Sequence, residues 1–226
     1  MKPSRSCREF KIKDLTPFAL FFISIIFLFA TGCATVTKMP LQSGSMDINT
    51  SGKSLLLARV KIKNDNAPSY QPELVCIFVQ KNDEVYSYTE PSLIKDLNNE
   101  GKDYLVSIDL SPGKATINAI RFLKHGAFAE IPFKQDIEVP QDRVVYLGNI
   151  SAVIKKKDKD NEPSAGPSIP LITQAVAGFS TGKFDVVITD QYDNDISEFR
   201  RQYPYLSGKE IIKMVLPPWV HPDIKP

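Results

Sequence analysis

Chemistry-bearing side chains are scarce in this chain, which has three cysteines, two histidines and one tryptophan in 226 residues. His125 sits in Lys-His-Gly and His221 in a Pro-rich tail, each without a nearby Cys or second His. Zinc binding needs three or four convergent ligands, so no metal is expected. No G-x-S-x-G elbow occurs, which removes one signature of a nucleophilic hydrolase. The stretch Gly178–Lys183 is one residue short of a phosphate loop, and Phe184 stands where Ser or Thr would bind magnesium. The acidic stretch Asp190–Asp195 lacks the alternating ligands, sixth-position Gly and distal Glu of a calcium loop. It reads as a turn before a helix. No catalytic residue, cofactor or metal is assigned.

A membrane-spanning run is also missing. Residues 1–14 carry five basic side chains (Lys2, Arg5, Arg8, Lys11, Lys13) against Glu9 and Asp14. The apolar run that follows, Phe18–Ala30, is broken only by Ser24. As a helix it would reach roughly 20 Å, short of the ~30 Å hydrocarbon core. Small residues, Ala30-Thr31-Gly32, then lead to Cys33. A charged start, a short apolar middle and a small-residue exit make a secretory signal over residues 1–32. An uncleaved anchor would require Leu15 to Val36 to act as one span despite Pro17.

The stretch Leu28-Phe29-Ala30-Thr31-Gly32-Cys33 resembles the lipobox of bacterial lipoproteins. The resemblance implies diacylglyceryl transfer to the Cys33 sulfur, cleavage before it and N-acylation (palmitate) of the new terminus. A thiol suits alkylation because it is the strongest side-chain nucleophile near neutral pH. One acyl chain anchors only marginally, whereas two or more hold stably. The residue after the Cys is Ala34, not the Asp that often retains family members in an inner membrane. The implied location is the bacterial cell envelope, outer membrane before inner.

Cleavage changes the charge. The full chain has 28 basic and 26 acidic residues; residues 1–32 remove five and two, leaving 23 against 24. The basic character belongs to the signal, and nucleic acid loses its support as a partner. Cys7 leaves with the signal and Cys33 is lipidated, so Cys76 has no partner for a disulfide. Inside Leu74–Val79 it reads as a buried, inert thiol.

Residues 33–52, rich in Ser, Thr, Gly and Met, read as a flexible tether. Residues 53–190 read as a domain of short strands. Ala58, Val60 and Ile62 alternate with Arg59, Lys61 and Lys63, a half-buried strand with a solvated basic face. Leu74–Val79 and Val85–Thr89 form a hairpin across Lys81-Asn82-Asp83. Tyr104–Leu110 turns at Ser111–Lys114 into Ala115–Phe122, and Ala127–Phe133, Ile137–Val139 and Val144–Val153 follow. Residues 155–170, charged and then rich in Pro and Gly, read as an exposed loop. Phe184–Ile188 resumes β alternation and is expected to pair with Val144–Val153. Residues 191–226 read as a helical appendage. Asp195–Glu198 and Ser207–Glu210 have capping-box form, the first helix stopping at Pro204 and the second near Leu216. Trp219 would anchor the tail. The expected fold is mainly β, an antiparallel β-sandwich with two short C-terminal helices. The alternative is an open sheet backed by those helices.

The stretch Ile108–Ala119, with Pro112-Gly113 between two strands, resembles the hairpin of PEGA-type and carboxypeptidase-regulatory-like β-sandwich domains. Val144–Ile150 resembles a later strand of lipoproteins that share it. The resemblance spans about residues 54–153 and implies a non-catalytic adhesion, spacer or interaction module. Tyr86 and Tyr88 fall on one strand face. Exposed, they would make a platform for sugar rings or a peptide; facing the core, they would leave Ser87 and Thr89 to water. The functional expectation is a lipid-anchored envelope protein, not an enzyme. It would meet the membrane through its anchor and bind an envelope protein or cell-wall glycan. The alternative is an envelope hydrolase with dispersed catalytic residues.

Overall fold

The computed structural model describes residues 34–41, 52–167 and 176–223. The chain divides into two units, Met1–Cys33 and Ala34–Pro226, and every described residue belongs to the second. In chain order the elements are β1 (Thr35–Lys38), β2 (Ser54–Asn64), β3 (Glu73–Lys81), β4 (Glu84–Thr89), β5 (Ser92–Asp96) and β6 (Lys102–Leu110). Then come β7 (Gly113–Lys124), β8 (Ala127–Val139), β9 (Val144–Lys156), β10 (Gly182–Thr189), helix α1 (Tyr192–Gln202) and β11 (Ile211–Lys213). The unit is mainly β.

Two sheets form, the first ordered β1-β4-β3-β7-β8 and the second β10-β9-β2-β6-β5, with β11 also on β9. The β3–β4 hairpin and the β9–β10 pairing follow the sequence pattern. Purely antiparallel sheets do not: β1 runs parallel to β4, and β2 and β11 both run parallel to β9. These parallel partners are distant in sequence, where turn signals carry no information. Alternate residues of both sheets (Val60 and Ile62, Ile77 and Val79, Ile120 and Phe122, Ile150 and Ala152) share one apolar core.

The second sheet is buried on its other face as well. There Leu55, Leu57, Leu105 and Tyr146 meet Ile196, Phe199 and Tyr203 of α1 and the turn that follows it. Burial on both faces accounts for the unbroken Leu55-Leu56-Leu57 at the start of β2, the pattern of a strand with no solvated side. Each such leucine contributes about 2 kcal/mol.

Two parts of the expected architecture change. The second helix, expected from Ser207 to about Leu216, is absent. After a 3-10 turn at Pro204–Leu206 the chain extends as β11 on the edge of β9. A helix of ten residues nucleates poorly, whereas β-branched Ile211-Ile212 complete a ladder and bury Ile211. The tether is also shorter than expected. Residues 35–38 form β1, and Met39 N–H donates to Thr89 O at 2.9 Å. Met39 enters the inter-sheet core and Leu41 the helix-side cluster, where Leu41 N–H donates to Ser107 Oγ at 3.0 Å. Residues 35–41 thus strap the two sheets together; residues 42–51 lie outside the described set.

A second strap closes the opposite side. Strand β9 runs through Lys156, and the exposed loop expected at 155–170 dips inward at Ala165. Glu130 N–H donates to Ala165 O at 2.9 Å and Ala165 N–H to Gly182 O at 2.8 Å, joining β8 to β10. Residues 157–164 stay largely exposed, and residues 168–170 lie outside the described set. Trp219 Nε1 donates to Pro132 O at 3.3 Å, so the tail is anchored as its aromatic residue suggested.

Gly148 sits inside β9 with φ +119°, where a β-bulge sets Ala58 opposite Gly148 after Leu57 opposite Tyr146. The extra residue lets Tyr146 and Asn149 face the same side. A Cβ at Gly148 would meet Ile188 and Val215 at 3.2 Å. Gly148→Ala is expected to cost about 1–3 kcal/mol, measured as a lower urea midpoint. An unchanged midpoint would show that the bulge is not held by this residue.

Candidate functional site

A buried polar constellation lies between α1 and the second sheet. Arg59 projects from the helix-side face of β2, Asp103 from β6, Tyr146 and Asn149 from β9, and Asp195 from the first turn of α1. Arg59 Nε donates to Asp103 Oδ1 at 2.9 Å, and its Nη1 donates to Asp195 Oδ1 at 3.0 Å. Tyr146 OH donates to Asp195 Oδ2 at 2.6 Å, and Asn149 Nδ2 reaches the same oxygen at 3.0 Å. Asp195 is 1% exposed, and every fully buried side-chain polar atom among the described residues has a partner.

The charges reinforce one another. The Asp103 hydrogen bond, opposed by desolvation and aided by Asp195, holds the Arg59 guanidinium above its ordinary pKa. Burial first, then Asp195, pushes the Tyr146 phenol far up, so it stays a proton donor. An arginine with each carboxylate occupied and a protonated phenol offer no free base or nucleophile. The arrangement fastens the helix to the sheet.

Sequence reasoning placed two of these residues otherwise. Arg59 was expected on a solvated basic face, and Asp195 as a helix cap. The helix instead begins at Tyr192, and its N-cap, Gln191, makes no side-chain cap bond. Asp190 Oδ1 takes the Tyr192 N–H at 3.1 Å, which frees Asp195 to turn inward. Gly148 in mid-strand was the available signal, because an isolated glycine there marks a bulge.

Tyr86 and Tyr88 are not both exposed. Tyr88 is buried in the inter-sheet core, with its OH donating to Asp109 O at 2.6 Å, and Tyr86 packs partly against that core. Ser87 is buried too, not solvated. Cys76 is buried, and burial pushes its thiol pKa up despite a hydrogen bond with Ser87. Cys33 lies outside the described residues.

The face of the first sheet turned away from the core carries a different group. Phe78 alternates with core residues Ile77 and Val79, and Phe128 with Ala127 and Ala129. Arg121 stacks between them, 4.6 Å from the Phe78 ring centre and 5.4 Å from that of Phe128. Its Nη2 pairs with Glu130 at 2.6 Å. Aromatic residues and arginine are the side chains enriched in protein interfaces.

The two histidines lie apart. His125 occupies the β7–β8 turn edge-on to Tyr70, with ring centres 6.1 Å apart. His221 lies against Trp219 beside a slot of about 180 Å³. Burial pushes its pKa down, and its Nδ1 accepts the Asp223 N–H at 3.2 Å. Among the described residues no three His, Cys, Asp or Glu are grouped to hold a metal, and no helix is long and apolar enough to cross a membrane. No family model, curated protein or solved structure matches this chain.

Arg59→Met leaves two carboxylates uncompensated and is expected to destabilise the fold by about 3 kcal/mol. Adding Asp195→Leu should recover part of that loss. Chemical denaturation of both variants measures it, and equal stability of Arg59→Met and wild type would remove the fastening role.

Proposed function

We propose that this protein is a lipid-anchored lipoprotein of the bacterial envelope whose folded part is a non-catalytic interaction module. The observation that carries the reading is the sequence Leu28–Cys33 after a basic start and a short apolar run. The division between Met1–Cys33 and Ala34–Pro226 supports it, because the folded unit begins directly after the acylated residue. Outer-membrane placement rests on Ala34 alone.

We read the two layers as a β-sandwich in which, among the described residues, only the second sheet carries a helix. The first sheet then presents Phe78, Arg121 and Phe128 outward. A rigid sheet bearing aromatic and arginine side chains suits contact with an envelope protein better than stacking on glycan, since Tyr88 is buried and Tyr86 half-buried. The closed Asp195 centre supports a structural, non-catalytic role for that buried polar cluster.

Two measurements test this. Radiolabelled palmitate should enter the wild-type protein and not Cys33→Ala; equal labelling of both would overturn the anchor. A photo-crosslinker at position 78 should capture one dominant envelope protein in intact cells, and Arg121→Glu should abolish that product. Only scattered neighbours, unchanged by Arg121→Glu, would count against the interaction face.

A further inference from the structure

The two ends of the domain are unlike. At one end lie the short turns Asn82-Asp83 between β3 and β4, Ser111-Pro112 between β6 and β7, and residues 140–143 between β8 and β9, joined by residues 207–210 ahead of β11, where Arg143 pairs with Glu210 at 3.6 Å. Ser54, at the start of β2, belongs to this end, because its Oγ donates to Pro140 O at 2.6 Å. The other end holds residues 65–72 and 97–101, the two-residue turn His125-Gly126 and, among the described residues, 157–167 and 176–181. Two side-chain amides tie these together. Asn64 Nδ2 donates to Tyr70 O and Ala177 O at 3.0 and 2.9 Å, and Gln71 Nε2 reaches Asn99 O at 3.0 Å.

The chain enters at the short-turn end. Strand β1 starts at Thr35 opposite Tyr86, near the beginning of β4. Thr35 is two residues beyond Cys33, and two residues reach at most about 7 Å. The ladder of β1 on β4 and the burial of Met39 and Leu41 leave no slack after that point. Val36, 72% exposed, is the first large apolar side chain beyond the acylation site.

We propose that the short-turn end of the domain rests against the lipid surface and that the amide-tied loop end points away from it. This rests on the lipid-anchor reading of Cys33. Strand β7, 12 residues long, separates the two ends by about 36 Å, beyond the reach of the leash. Lying flat on the β1 edge would strip water from that strand's outward backbone groups and from the Lys38–Glu90 ion pair. Charges at the resting end are mixed (Lys53, Asp83, Lys114, Asp142, Arg143, Glu210), so the covalent leash, not headgroup attraction, sets the orientation. Partners that approach from beyond the membrane then meet the loop end and the outward sheet face first.

Ser111→Cys and Ser69→Cys place a fluorophore on exposed positions at the two ends. The full lipidated protein is reconstituted into phosphatidylcholine–phosphatidylglycerol vesicles containing a headgroup nitroxide lipid. The Ser111 probe should be quenched several-fold more than the Ser69 probe. A long Gly-Ser insertion between Ala34 and Thr35 should remove most of that difference. Equal quenching at both sites, with palmitate still incorporated, overturns the orientation while leaving the anchor intact. Absence of palmitate from the wild type overturns both.

Discussion

The Asp195 carboxylate decides how the second sheet is covered. It is buried and takes hydrogen bonds from Arg59, Tyr146 and Asn149, on two neighbouring strands. A carboxylate in such a place is stable only while each donor stays aligned, because a buried unpaired charge costs several kcal/mol. The alignment depends on the β9 bulge, which turns Tyr146 and Asn149 to one side, and on Gly148, which permits it. With the helix held there, Leu55, Leu57 and Leu105 lose their contact with water. The unbroken apolar start of β2 and the polar centre beside it are two parts of one packing solution.

Both chain ends are used to close the domain. Residues 35–41 cross from the edge of the first sheet to the outer face of the second, and the Ala165 bridge with the Trp219 tail joins the opposite edges. Open sheet edges invite further strand pairing, and the Ala165 bridge satisfies backbone groups on the β8 and β10 edges. The N-terminal strap has a functional corollary on the lipoprotein reading. A segment that might have been a loose spacer is part of the fold, so attachment and folding are mechanically coupled within two residues of the acylated cysteine.

Local features were readable in advance where adjacent residues decide them. Alternation placed β2, β6 and β10, a bounded apolar run placed β3, and Pro204 correctly ended the helix. β5 escaped notice because Ser92–Asp96 carries little apolar pattern and is recruited only as an edge on β6. The helix expected after Ser207 failed for the converse reason. Its capping pattern was locally adequate, yet the open edge of β9 offered Ile211 both a ladder and burial.

The sequence by itself determined the β-rich composition of the domain, the scarcity of metal-ligating and nucleophilic side chains, and the position of a lipobox-like cysteine. Each of these is written in contiguous residues. Tertiary structure alone decided that Arg59 is a half-buried partner of two carboxylates, that Tyr88 turns into the core, and that β2 pairs with β9. Those outcomes depend on which face of a strand another element covers, and the covering residues come from as far as 136 positions away. Alternation tells which residues share a face; only packing tells which face meets water.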